Sequence, residues 1–222
     1  MKINTLTFLV FLGSVSIWSQ NNKLSIGISG QVEFNNYEFK KTNNNTNYDY
    51  NPFKEYSILL NFAYDLSEKI SIGAGIAYTS EGYKVLYNHN SGLFFPNVSY
   101  PFKSKLEVSY IRVPVKIGIT LFKLGRFNFK PSFSTIFDFQ IDKKEITYLS
   151  NGKNGETYHL SNDLNKTLLS LRFDFGFEYN VTESLSVVFA PLISKRLTIL
   201  DENRMRSGKL SYGATFSIYC KI

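Results

Sequence analysis

Two histidines, His89 and His159, are the side chains best suited to proton transfer near neutral pH, and a serine and an acid beside either would suit acyl-transfer chemistry. They fall in separate polar segments, and no Gly-x-Ser-x-Gly nucleophile turn accompanies them. The turn-like His89-Asn90-Ser91-Gly92, set between two apolar stretches, instead reads as the tip of a hairpin. Cys220 is the sole cysteine, so neither an internal disulfide nor a Cys-x-x-Cys zinc site can form. Catalytic residues, cofactor and metal are therefore not expected. A second set of residues is more informative: Glu33, Arg112, Lys116, Lys130, Asp138, Arg172, Asp174 and Glu178 each sit at an alternate position within an apolar run. The chemistry open to them is mutual pairing or the lining of an ion path.

The elements that carry these charges read as strands. The 222 residues include 20 Phe and 15 Tyr against two Met and one Trp, a composition that suits pleated surfaces better than helix bundles. The net charge of +7 is spread along the chain without long basic runs, so nucleic acid is not an expected partner. At the start, Lys2, the apolar run from Leu6 to Leu12 and the small residues through Ser19 have the order of a secretory signal. The run is too short for a membrane-spanning helix. A signal peptide over 1–19 and one domain over 20–222 are expected.

Period-2 alternation then appears in eight segments. They begin with Leu24, Ile26, Ile28, Val32 and Phe34 against Ser25, Gly27, Ser29, Gln31 and Glu33. The others are Tyr56–Tyr64, Ile70–Tyr78, Ile111–Leu121, Phe127–Ile141, Leu169–Tyr179, Leu185–Ile193 and Leu210–Ile222. Before Ile111 the apolar residues change parity, through Leu106, Val108 and Tyr110, which predicts a bulge at Tyr110–Ile111. Three connections are tight: 65–69, 122–126 and 180–184. Four are long and rich in Asn and Tyr: 35–55, 80–105, 142–166 and 194–208. Two of the tight turns echo one another, Asp65-Leu-Ser-Glu68 and Asn180-Val-Thr-Glu183. Such alternation of short and long connections predicts an all-β, eight-stranded, antiparallel up-and-down transmembrane β-barrel, with short periplasmic turns and long extracellular loops.

Alternation alone leaves open which face meets lipid. The polar faces are dominated by Ser, Gly, Ala and Asn rather than Lys, Glu and Thr, which fits a narrow lumen and puts the apolar faces outside. Tyr56, Tyr64, Tyr78, Tyr110, Tyr179 and Tyr212 near strand ends are then expected to form interfacial girdles. The eight charged residues point inward as a lumen network, and eight strands leave room for side chains alone, so a salt-bridged plug is expected ahead of an ion path.

Ile72-Gly-Ala-Gly-Ile-Ala-Tyr78 followed by Gly82-Tyr83, the leader ending in Ser-Gln, and Leu106-Glu-Val-Ser-Tyr-Ile-Arg-Val-Pro-Val-Lys116 together resemble the small outer-membrane β-barrel family of Gram-negative bacteria that includes the PorT-like proteins. The resemblance covers most of the mature chain. It departs at the end, where Ile222 stands in place of the usual aromatic. It implies an outer-membrane barrel in contact with lipid and, for some members, an accessory role in secretion. The leading functional expectation is a structural or interaction barrel whose extracellular loops meet a protein partner. A narrow small-solute channel comes second and a barrel-based membrane enzyme third. Mass spectrometry of the mature protein is expected to find Gln20 at the N-terminus; an intact Met1 in purified outer membranes would refute the leader.

Overall fold

The computed structural model describes residues 23–36, 47–52, 54–88, 101–149, 154–158, 165–200 and 209–222. The leader over 1–19, His89 and His159 lie outside them. Eight strands form the wall: β1 (Leu24–Asn36), β2 (Lys54–Asp65), β3 (Ile70–Asn88), β4 (Pro101–Ile119), β5 (Phe127–Leu149), β6 (Thr167–Asn180), β7 (Leu185–Arg196) and β8 (Leu210–Lys221). Each pairs antiparallel with its neighbour in sequence, and β1 pairs with β8 along its whole length, from Ser25 opposite Lys221 to Asn36 opposite Leu210. The sheet thus closes into an eight-stranded antiparallel barrel with no free edge around the bore.

The tight turns owe their shape to local chemistry. Ser67 Oγ accepts from the backbone N–H groups of Lys69 and Ile70, at 3.3 and 3.1 Å. Thr182 Oγ1 does the same for Ser184 and Leu185, at 3.3 and 3.0 Å. The echo between the two turns is therefore a shared hydroxyl-capped geometry. In the third turn Gly125 takes a φ of 60°, which a residue with a Cβ adopts only at a cost.

Facing follows the alternation. Along β5, Phe133 is 46% exposed and Ser134 0%. Ile28, Ile58, Ile76, Val115, Phe173, Phe189 and Phe216 are also exposed, one or more from each remaining strand. The molecule is inside-out relative to a water-soluble barrel, with an apolar belt outside and polar residues within.

Three expectations need correction. The strands run far into segments read as loops: β3 and β4 are each 19 residues and β5 is 23, against 12 to 14 for the other five. Short strands at Asn47–Pro52 and Asn154–Tyr158 pair with the extensions of β3 and β5, so a five-stranded wall projects from the long-connection rim on one side. These segments looked loop-like because Lys84, Lys103, Lys105, Glu107, Ser109 and Lys144 interrupt the aliphatics of their outward faces.

The second correction concerns parity. β4 keeps one alternation throughout: Leu106, Val108, Tyr110 and Arg112 are all buried on the same face. What changes near Tyr110 is the chemistry of the β4 interior row, which takes in Tyr110, Val108 and Leu106 before Ser104, with Glu145 of β5 opposite Leu106. The register irregularity is at Ser109/Tyr110, and the extra residue is Ile141 on β5, between Gln140 and Asp142. Third, Tyr110, 0% exposed, belongs to the interior and not to a girdle, whereas Tyr56, Tyr78 and Tyr212 stand on the outer surface.

An arginine at the midplane of the lipid face costs roughly 2–4 kcal/mol. Phe133→Arg is therefore expected to reduce the folded form, seen as the fraction that migrates anomalously on a denaturing gel without boiling. Equal folding of Phe133→Arg and the wild type would contradict the assigned facing.

Candidate functional site: a charged layer across the bore

The small interior faces of the strands leave space at one level for long charged side chains, and all eight strands or their immediate ends contribute to it. Arg112 on β4 is the hub. Its Nε and Nη2 donate to both Asp138 oxygens on β5 at 2.7 and 3.0 Å. Nη1 reaches Glu33 on β1 at 3.2 Å, and Nη2 reaches Glu55 on β2 at 2.7 Å. Arg196 at the end of β7 pairs with Glu81 on β3 at 2.6 Å and lies 3.6 Å from Asp138. Lys209, just before β8, pairs with Glu81 at 2.7 Å and also with Glu55.

Polar groups take up the remaining lone pairs. Ser194 Oγ donates to Glu33 at 2.9 Å, Thr79 Oγ1 to Glu55 at 3.1 Å, and Gln31 Nε2 also donates to Glu33. Gln31 in turn accepts from Arg172 Nη1 at 2.6 Å, and Arg172 Nε donates to Asp174 at 3.3 Å, which joins β6 to the layer. Glu33 faces Glu55 directly across the β1–β2 ladder, a like-charge pairing that would destabilise the sheet were Arg112 and Lys209 not placed against it. Every one of these charged side chains is buried.

Above this layer, toward the long-connection rim, the interior holds Tyr83, Leu106 and Val108; Tyr110 lies 6.0 Å from the Arg196 guanidinium, ring centre to carbon. Below it, a cavity of about 530 Å³ opens at the short-turn rim. Ser25, Ser29, Asn61, Ser71 and Thr215 line its walls, and Arg172 and Asp174 lie at its inner end. Within it Lys116 Nζ donates to Tyr219 OH at 3.0 Å and sits 5.4 Å from the ring centre. That ring lies over Gly27, where an added Cβ would come within 2.5 Å of it, so the absence of a side chain at 27 makes the space.

Of the eight charged residues read from the sequence, Glu33, Arg112, Asp138, Arg172 and Asp174 come together in the layer. Lys116, Lys130 and Glu178 line the open cavity instead, with Lys130 3.4 Å from Asp65 and Glu178 accepting from Asn128 at 3.1 Å. Sequence reasoning missed Glu55, Glu81, Arg196 and Lys209, because all four lie at the rim ends of strands or in segments read as loops. The signal for them was parity: Glu55, Ser57 and Leu59 continue the interior face of β2, and Thr79 and Glu81 that of β3. Among the described residues no group of His, Cys, Asp and Glu has an arrangement suited to a metal ion.

A closed barrel with an apolar belt and a polar, charge-paired interior is a transmembrane β-barrel of the outer-membrane class. The chain belongs to the outer membrane protein β-barrel domain family, whose model matches residues 18–193. That membership puts it in the outer membrane of a Gram-negative bacterium. No curated protein sequence matches the chain. Among solved structures it is similar to neisserial surface protein A, at 9% identity over 91% of this chain and 98% of that one, with a TM-score of 0.46. It is also similar to the outer membrane protein OprG from Pseudomonas aeruginosa, at 12% identity over 90% and 97%, with a TM-score of 0.43. For Ail, the attachment invasion locus protein of Yersinia pestis, the values are 15% identity over 88% and 97%, with a TM-score of 0.39.

Removing one partner from a buried ionic cluster leaves uncompensated charge, at a cost of about 3–5 kcal/mol. Arg112→Ala is expected to lose that much stability in detergent–urea unfolding, and Lys116→Ala, which faces the open cavity, a small fraction of it. Comparable losses from the two variants would contradict the hub role.

Proposed function

We propose that the protein is a closed, non-conducting barrel that acts as a structural or interaction element, with its working surface outside the cell. The observation that carries this reading is the interior itself: Arg112, Arg196, Lys209 and their carboxylates span the bore, with buried Tyr83, Leu106 and Val108 above them. In outer-membrane barrels the short turns face the periplasm, so the cavity opens inward to the periplasm and the tall wall of β3, β4 and β5 projects outward. A wall that outruns the membrane on one side offers a rigid surface for recognition, as sites built on strands are more firmly held than sites on loops. The resemblance to PorT-like proteins supports a secretion-accessory role for that surface. The charged layer acts as a plug holding opposite walls together.

Planar bilayers containing the purified protein are expected to show no steady conductance. Reproducible steps whose size changes in Arg112→Ala or Arg172→Ala would instead establish a narrow solute channel as the function.

A further inference from the structure

A bar of two side chains crosses the cavity below the charged layer. Lys116 on β4 and Tyr219 on β8 come from opposite walls of the eight-stranded ring, and Lys116 Nζ donates to Tyr219 OH at 3.0 Å. Two glycines make the space for them. The Tyr219 ring lies over Gly27, and the Lys116 stem lies over Gly73, where an added Cβ would come within 2.9 Å of Cε. Both side chains are half-buried and line the cavity.

Counter-ions are already assigned to the other cations inside the cavity. Arg172 donates to Asp174, and Lys130 lies 3.4 Å from Asp65. Glu178 accepts from Asn128, and Glu68 stands exposed in the turn between β2 and β3. Lys23, Lys123 and Lys221 stand at the rim. Among the described residues, the one polar partner of Lys116 is the neutral Tyr219 phenol, whose own proton has no acceptor. Water can hydrate an ammonium so placed, but an anion is needed to neutralise it.

Geometry and charge decide which anion. The ammonium and the phenol hydroxyl are donors 3.0 Å apart, a spacing that suits the two oxygens of one carboxylate. One ammonium balances one carboxylate, whereas a phosphate group, with a charge of about −1.5 to −2, would remain incompletely neutralised. Ser25, Ser71 and Ser217 also line the cavity, and their hydroxyls can donate to and accept from hydroxyl or amide groups on the same ligand. The volume of about 530 Å³ is that of a small-molecule site. Tyr219 is two residues from the rim end of β8, roughly 5 Å of depth on a strand tilted by about 40°. A ligand therefore reaches the bar from the short-turn side without meeting the charged layer.

We propose that the cavity binds a small polar monocarboxylate from the periplasm, a free hydroxy acid or the C-terminal end of a peptide, with its carboxylate held by Lys116 and Tyr219. The site is separate from the outward wall and from conduction, so its failure leaves both of those readings untouched.

The test is an NMR titration of the detergent-refolded full-length barrel, with the backbone amides of Gly27, Gly73 and Tyr219 as reporters. The probes are glycerate, N-acetyl-seryl-serine with a free carboxyl, the same dipeptide as its C-terminal amide, and inorganic phosphate. Saturable shifts are expected with the carboxylates: tighter binding of glycerate assigns the site to a free acid, and tighter binding of the dipeptide to a chain end. Loss of one charge-assisted hydrogen bond corresponds to roughly tenfold or more in affinity, so the amide should bind at least that much more weakly. Lys116→Met should abolish saturation. Tyr219→Phe keeps the ring over Gly27, should stay heat-modifiable and should weaken carboxylate binding about tenfold. Lys69→Gln, in the neighbouring turn, should bind as the wild type does. Absence of saturable shifts with both carboxylates, equal binding of acid and amide, phosphate binding as tight as that of the carboxylates, or unchanged binding by Tyr219→Phe would overturn the proposal.

Discussion

Hydrocarbon offers no partner to a backbone N–H or C=O, and this constraint shapes the whole molecule. A sheet can meet it by closing, and the continuous β1–β8 ladder is that closure. Eight strands give a bore wide enough for side chains alone, so residues facing inward must be small or must share their space. Hence the Ser, Gly and Ala of the lower interior, which leave the periplasmic cavity, and hence the single level at which long charged chains interlock.

Burying so many charges in a low-dielectric interior is costly unless each is paired. The arrangement around Arg112 meets that condition by geometry. One planar guanidinium engages carboxylates from three strands, and its bidentate hold on Asp138 fixes the fork while Glu33 and Glu55 approach from the far side. Glu81 is held conversely, one oxygen by Arg196 and the other by Lys209. The layer ties together strands that the ladder alone connects only to their neighbours. It separates two unlike interiors, polar and open below, and above it a closed one where Tyr83, Leu106 and Val108 pack with Ser104 and Glu145.

Much of this was legible in the sequence. Period-2 alternation located all eight strands, and the facing of Phe133 and Ser134 follows from parity and the small residues of the polar face. The limit was the assumption that an interior face is polar throughout. Leu106, Val108 and Tyr110 broke that pattern, and the break was read as a change of side when it is a change of chemistry along one side. Polar residues on the outward face, Lys54, Ser80 and Lys195, cut β2, β3 and β7 short at the rim and put Glu55, Glu81 and Arg196 into loops although their spacing matched the interior rows. Lys209 shares the parity of Ser211, Thr215 and Ser217 but precedes its strand, and only the closed ring brings it to Glu55. Which charges meet is set by shear around the barrel, and a linear pattern does not encode that.

Thiol accessibility across the bore tests the central claim, that a charged layer divides the interior. Single cysteines at Ser71 and Ser217, which line the cavity, and at Ser134 and Ser194, which are buried, would be placed in a Cys220→Ser background. A small, membrane-impermeant thiol reagent would then be added separately to each side of oriented vesicles. The account predicts modification at 71 and 217 from the short-turn side alone and protection at 134 and 194 from both sides. Modification at 217 from the long-connection side would show a continuous aqueous path and contradict it.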